Sequence, residues 1–88
     1  GPFEIENVIM ELPYVLECGV SAAPDEIRGQ VVKASIVLVK DFKGTDQLKK
    51  EIQDYVKRRT APYKYPRIVE FRTELPKTTS GKIIRKKL

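Results

Sequence analysis

The fold of this chain is decided by a nearly unbroken apolar run, Val31-Val32-Lys33-Ala34-Ser35-Ile36-Val37-Leu38-Val39. Apolar side chains occupy both odd and even positions, which is typical of a strand covered on both faces. We therefore expect residues 31–39 to form the central strand of a sheet.

A second strand is predicted just before this run, over residues 15–23. Pro24-Asp25 and Gly29 provide turn chemistry between the two stretches. Because the connection is short, we expect the two strands to be antiparallel neighbours. Along residues 15–23, more apolar positions alternate with more polar or smaller ones. The more apolar positions are Leu16, Cys18, Val20 and Ala22.

A helix is predicted after the polar turn that follows the run. Thr45 is a suitable N-cap, and Asp46 complements the dipole of the first turn. Leu48, Ile52, Tyr55 and Val56 form its apolar stripe. Lys57, Arg58 and Arg59 fall in its last turn. There they complement the helix dipole, and whether they also bind a ligand stays open on periodicity alone.

The remaining elements complete a small α+β domain. Apolar spacing predicts a first helix over residues 3–11, where Glu4 and Glu6 suit the N-terminal dipole and Pro13 ends the helix. Residues 67–72 are predicted to form a third strand, and residues 81–88 a short closing helix. We expect a three-stranded, mainly antiparallel sheet packed by two to three helices, two of them on one face.

Composition limits the classes of function. The 88 residues are enough for one domain, and the net charge of +5 favours anionic partners. One cysteine and no histidine exclude a disulfide framework and most zinc sites. Cys18 is expected to be a buried small hydrophobe, since no histidine is present to activate it as a nucleophile. No membrane span is visible, and a reducing compartment is expected: the cytoplasm, or the mitochondrial matrix if the organism is a eukaryote.

The C-terminal stretch Leu75-Pro76-Lys77-Thr78-Thr79-Ser80-Gly81-Lys82-Ile83-Ile84-Arg85 contains a candidate anion site. Gly81 permits backbone angles closed to other residues, and Lys82 is a compact cation suited to a phosphate or carboxylate. The order of residues is not that of a P-loop. The alternative is a solvated basic tail, because residues 77–88 contain five Lys or Arg and no acid.

The order Pro76-Lys77-Thr78-Thr79-Ser80-Gly81-Lys82-Ile83 resembles the C-terminal signature of the adenylate-forming superfamily. That superfamily includes acyl-CoA synthetases, luciferases and the adenylation domains of peptide synthetases. The resemblance implies that Lys82 contacts the carboxylate and the α-phosphate during adenylation. Residues 1–6, 21–34 and 61–67 fit the same family, the last being closest to medium-chain acyl-CoA synthetases.

The chain is thus identified by resemblance as the C-terminal domain, residues 1–88, of an AMP-forming acyl-CoA synthetase. The resemblance implies ATP and coenzyme A as substrates, a partner in the enzyme's own N-terminal domain, and Mg²⁺ bound in that domain rather than here. It also implies that the small domain rotates between the two half-reactions and is inactive alone. The residues it assigns to coenzyme A are Arg28, Lys57, Tyr65, Pro66 and Arg67.

Two alternatives of another class stay open. Tyr63 and Tyr65 lie beside Lys64 and Arg67, and aromatic rings among cations can stack on nucleic-acid bases. The basic tail also suits a protein-interaction module with an acidic partner. No known nucleic-acid-binding motif is present, so we do not expect a nucleic-acid partner.

Overall fold

The computed structural model describes all 88 residues and has the order helix, strand, strand, helix, strand. The elements are α1 (Pro2–Ile9), β1 (Val15–Asp25), β2 (Gly29–Leu38), α2 (Asp46–Arg59) and β3 (Ile68–Phe71). Two single 3₁₀ turns, Pro62–Lys64 and Arg85–Lys87, complete the chain. The predicted α+β class is confirmed.

The three strands form a mixed sheet in the order β1-β2-β3. β1 runs antiparallel to β2 over ten Cα pairs, whereas β3 is parallel to β2 over four. The parallel pairing follows from α2, which returns the chain to the end of the sheet where β2 began. One strand pair is thus antiparallel and the other parallel, but the antiparallel pair is the longer, so the sheet is mainly antiparallel by residue pairs, as expected, and β2 is its central strand.

The main core lies between the sheet and both helices. Ala34 and Ile36 of β2, together with Ile52 and Val56 of α2, have no exposed surface. The spacing of Ile52 and Val56 is the helical repeat that predicted this face of α2. Thr45 caps α2 as expected, since its hydroxyl accepts a 3.1 Å hydrogen bond from the Leu48 amide.

The C-terminal segment packs against β1 on the opposite side of the sheet. A Cβ atom at Gly19 would lie 2.7 Å from Leu88 Cδ1 and 3.2 Å from Ile83 Cγ2. A side chain at position 19 would displace Leu88 and crowd Ile83, so glycine allows the C-terminal segment to pack closely here. Ser35, the partner of Gly19 across the sheet, is fully buried. The prediction of a central strand covered on both faces is thus confirmed.

Four local predictions differ from the structure. The closing helix over 81–88 is wrong, because only Arg85–Lys87 form a single 3₁₀ turn. The strict alternation in β1 is also broken: Leu16 and Ala22 are exposed, and the register shifts between Val15 and Glu17. The first helix ends at Ile9 rather than at residue 11, and both long strands meet at a tight turn over residues 26–28.

Candidate functional site

Lys82 lies at the end of a three-residue hairpin loop, Thr79-Ser80-Gly81. The Gly81 amide donates to the Thr78 carbonyl at 2.9 Å, and the Thr78 amide donates to the Lys82 carbonyl at 2.8 Å. Gly81 has a φ of +87°, the left-handed conformation that this type of loop needs at its third position. The Thr78 hydroxyl also accepts from the Lys82 amide at 3.1 Å. The hairpin is therefore held by both backbone and side-chain bonds.

The ammonium group of Lys82 is exposed and has no hydrogen bond or ion pair within the chain. The other lysine of the hairpin, Lys77, lies on the opposite arm and is instead paired with Glu17 at 2.6 Å. Lys82 thus differs from the other lysine of the hairpin in being available to an external anion. An unpaired ammonium on a flexible stem is suited to a developing oxyanion.

The arm after Lys82 is anchored by an ion pair. Arg85 donates to both carboxylate oxygens of Glu6, from Nε to Oε2 at 2.7 Å and from Nη2 to Oε1 at 2.6 Å. These hydrogen bonds raise the pKa of the Arg85 guanidinium. Glu6 is only 7% exposed and accepts a further bond from the Val20 amide at 2.7 Å. The carboxylate therefore joins α1, the edge of β1 and the C-terminal segment.

Sequence reasoning did not identify this anchor. Glu6 was assigned to the dipole of α1 and Arg85 to a basic tail. The sequence contains one indication that Glu6 needs a partner. Glu6 is adjacent to Ile5 and lies within one turn of Ile9, and both isoleucines are buried. A carboxylate that close to an apolar stripe needs a cationic or amide partner. The identity of the partner, 79 residues away, depends on the tertiary structure.

A second basic cluster gathers around Tyr65. The Lys57 ammonium lies 4.1 Å from the centre of the Tyr65 ring, and the Arg67 guanidinium lies 5.0 Å from it. Both distances are within cation–π range. Pro66 is buried, and its carbonyl accepts from the Gln53 side chain at 3.0 Å, which fixes this loop to α2. Four of the five residues assigned to coenzyme A are thus brought together.

The fifth, Arg28, lies in the β1–β2 turn at the same end of the sheet. The Asp25 carboxylate accepts from the Arg28 amide at 2.8 Å and from the Ile27 amide at 3.2 Å. The hydrogen bond from the Arg28 amide is the main reason that the pKa of Asp25 is lowered, and the charges of Arg28 and Arg67 lower it further. Asp25 therefore interacts electrostatically with both arginines.

Lys82 and this basic cluster lie towards opposite ends of β1. The hairpin contacts β1 at Glu17, whereas Asp25 closes the far end of the strand. The two positions are eight residue steps apart along the strand, roughly 26 Å at the usual rise. The whole chain extends 34 Å in its longest direction. The two sites therefore lie well apart along β1.

Other candidate chemistry is limited. Burial, with a smaller contribution from the nearby Glu6 carboxylate, raises the pKa of the Cys18 thiol to about 12. The thiol is therefore protonated near neutral pH, which confirms that Cys18 is a buried hydrophobe. No group of three or more His, Cys, Asp or Glu side chains comes together as a metal site. Neither α-helix is long and apolar enough to span a membrane.

The fold and the lysine hairpin define a small α+β domain with an exposed, unpaired cation on a hairpin loop. Residues 4–82 match the AMP-binding enzyme C-terminal domain family. The chain belongs to this family.

Proteins of similar sequence and structure are consistent with this family assignment. Acyl-coenzyme A synthetase ACSM3, mitochondrial, from Mus musculus is 60% identical over 90 residues, which cover 100% of this chain and 16% of the mouse protein. The crystal structure of a Brucella canis acyl-CoA synthetase superposes with a TM-score of 0.94 at 42% identity, over 98% of this chain and 16% of that one. The anthranilate CoA ligase AuaEII, whose crystal structure contains anthranoyl-AMP, superposes with a TM-score of 0.90 at 42% identity. The match covers 98% of this chain and 17% of that one.

The chain spans about one sixth of the length of the curated relatives that it matches. These similarities give no support to a small nucleic-acid- or protein-binding module.

Proposed function

We propose that residues 1–88 are the C-terminal domain of an AMP-forming acyl-CoA synthetase. The complete enzyme converts a carboxylate, ATP and coenzyme A into an acyl-CoA, AMP and pyrophosphate. Family membership and the acyl-CoA synthetase relatives support this reaction class. The observation that carries the proposal for this chain is the unpaired Lys82 ammonium on an anchored hairpin.

In the first half-reaction, a carboxylate oxygen of the substrate attacks the α-phosphorus of ATP. The bond from that phosphorus to the bridging oxygen of the β-phosphate breaks, and pyrophosphate leaves. The carboxylate and the α-phosphate are both negatively charged as they approach each other, so a cation placed between them offsets their repulsion and stabilises the transition state. Lys82 supplies this cation when the hairpin enters the active site of the large domain.

In the second half-reaction, the sulfur of coenzyme A attacks the acyl carbon and AMP leaves. The nucleotide part of coenzyme A carries several phosphates, which cationic side chains at the far end of β1 are suited to hold. Arg28, Lys57 and Arg67 bind these phosphates and Tyr65 lines the nucleotide, while Pro66, which is fully buried, holds the loop that carries Tyr65 and Arg67. The buried position of Pro66 supports a fixed loop at this point.

Because the two sites lie at opposite ends of the strand, we infer that the domain rotates to present them in turn. ATP, acyl-adenylate and coenzyme A are then shared between this chain and a large N-terminal domain. We expect Mg²⁺ to be bound by that domain and the 88-residue chain alone to form no acyl-CoA. A reducing compartment, the cytoplasm or the mitochondrial matrix, fits the free Cys18, and the mouse relative is named mitochondrial.

The test uses the full-length enzyme with Lys82→Ala and measures the two half-reactions separately. Acyl-adenylate formation is followed by ATP–pyrophosphate exchange, and acyl transfer by product formation from preformed acyl-adenylate and coenzyme A. We expect exchange to fall by about 100-fold or more, as for loss of one electrostatic stabiliser, while transfer changes little. Lys86→Ala is the matched control, because Lys86 is another exposed cation of the same segment.

If exchange is as fast in Lys82→Ala as in the Lys86→Ala control, the hairpin lysine has no part in adenylation and the proposed role of this domain is wrong. If both half-reactions fall together, Lys82 acts on the whole enzyme rather than on one orientation of the domain.

A further inference from the structure

The contacts after the hairpin point to a second residue in the adenylation step. We propose that Arg85 is a positioning residue for Lys82. It holds the hairpin in one place relative to the rest of the domain, so that the lysine enters the large domain in a defined position and orientation. This inference rests on the proposed function of Lys82, and it concerns only residues within this chain.

The guanidinium of Arg85 is constrained on several sides. Two hydrogen bonds of 2.7 and 2.6 Å join it to the carboxylate of Glu6, and it lies 4.5 Å from the centre of the Phe3 ring. Such a bidentate pair of hydrogen bonds, called the fork below, fixes both the distance and the plane of the guanidinium relative to the carboxylate. Glu6 is itself held by the Val20 amide. The fork therefore ties the C-terminal segment to α1 and β1 in one geometry.

This constraint reaches Lys82 through two intervening residues. The Ile84 amide donates to the Pro76 carbonyl at 2.8 Å, and Ile83 pairs with Lys77 across the hairpin. Ile83 also packs against Gly19, where no Cβ would fit without displacing a neighbour. Because both arms of the hairpin are coupled in this way, a shift at Arg85 moves the backbone of Lys82.

The position of this backbone matters because nothing in the chain holds the Lys82 side chain. Its ammonium has no partner, and its four-carbon stem is flexible. The point at which the stem leaves the hairpin therefore decides where the cation can reach. A displacement of about 1 Å at a reacting group can cost about 100-fold in rate.

The test compares Arg85→Lys with Lys86→Met in the full-length enzyme. The first variant keeps the positive charge but loses the two-bonded fork, and the second removes a neighbouring exposed cation. For Arg85→Lys we expect the kcat of ATP–pyrophosphate exchange to fall by about 10- to 100-fold, with acyl transfer from preformed adenylate within about twofold of wild type. Lys86→Met leaves both half-reactions unchanged.

A double variant separates positioning from general support of the fold. If Arg85 acts through Lys82, Arg85→Lys leaves the residual exchange of Lys82→Ala unchanged, because the group that it positions is already gone. A further loss of exchange in that background, or an equal loss in both half-reactions, overturns the inference. Full exchange in Arg85→Lys overturns it as well, and leaves the proposed function intact if Lys82→Ala has lost exchange.

Glu6→Gln provides a second route if Arg85→Lys fails to fold. The amide oxygen of glutamine still accepts from the Val20 amide, while the charged fork to Arg85 is lost. The same selective loss of exchange is expected, and an unaffected exchange reaction in this variant contradicts the inference.

Discussion

At the scale of single residues, two glycines set the backbone at the two candidate sites. Gly81 precedes Lys82 and has a φ of +87°, while Gly29 follows Arg28 and has a φ of +80°. A Cβ would meet no atom within 4 Å at either position, so any cost of alanine comes from the backbone alone. Alanine is therefore expected to cause a similar backbone strain at each of the two sites.

We predict that Gly81→Ala and Gly29→Ala each lower the free energy of unfolding by about 1 to 2 kcal/mol. Urea denaturation of the 88-residue chain measures this loss. In the full-length enzyme the two variants differ: Gly81→Ala slows ATP–pyrophosphate exchange, and Gly29→Ala slows acyl transfer to coenzyme A. If both variants slow the same half-reaction, the assignment of one reaction to each end is wrong.

At the scale of elements, the N-terminus of α2 gives a prediction about folding alone. The Thr45 hydroxyl satisfies the Leu48 amide, which has no partner within the helix. We expect Thr45→Ala to lower the free energy of unfolding by about 1 kcal/mol. Thr73→Ala is the control, since Thr73 is exposed and makes no side-chain hydrogen bond. Equal stability of the two variants would mean that packing of Ile52 and Val56 alone determines where α2 forms.

The elements predicted correctly are those whose signals are local. The capped, amphipathic stretch after Thr45 and the apolar run over residues 31–39 each contain enough information to define a helix and a strand. The parallel direction of β3 is different, because it depends on how α2 crosses the sheet. Nothing within residues 67–72 indicates it.

The C-terminal segment shows the same limit. Its composition suits a helix, but Gly81 adopts a left-handed conformation and the Pro76 carbonyl pairs with the Ile84 amide, so a hairpin forms instead. The motif sufficed to select Lys82 as a candidate. The partners that hold the hairpin, Glu17 and Glu6, lie far away in sequence and were not predicted.

At the scale of the whole molecule, the position of an arginine relative to the sheet can be tested separately from its charge. β3 carries an arginine immediately beyond each of its ends, Arg67 beside Tyr65 and Arg72 beside Glu70. Only Arg67 belongs to the cluster proposed to hold coenzyme A. The two residues have the same charge and flank one strand, so they test whether position, rather than net charge, determines the effect on coenzyme A.

We predict that Arg67→Ala in the full-length enzyme raises the KM for coenzyme A by about tenfold or more, because a hydrogen bond to a charged group contributes about 1.5 to 3 kcal/mol. ATP–pyrophosphate exchange stays unchanged, since the Lys82 hairpin lies towards the other end of β1. Arg72→Ala leaves the KM for coenzyme A within about twofold, because loss of one charge without a contact is screened over such distances. If both variants raise the KM equally, coenzyme A responds to the net charge of the domain, and no separate site exists at this end of the sheet.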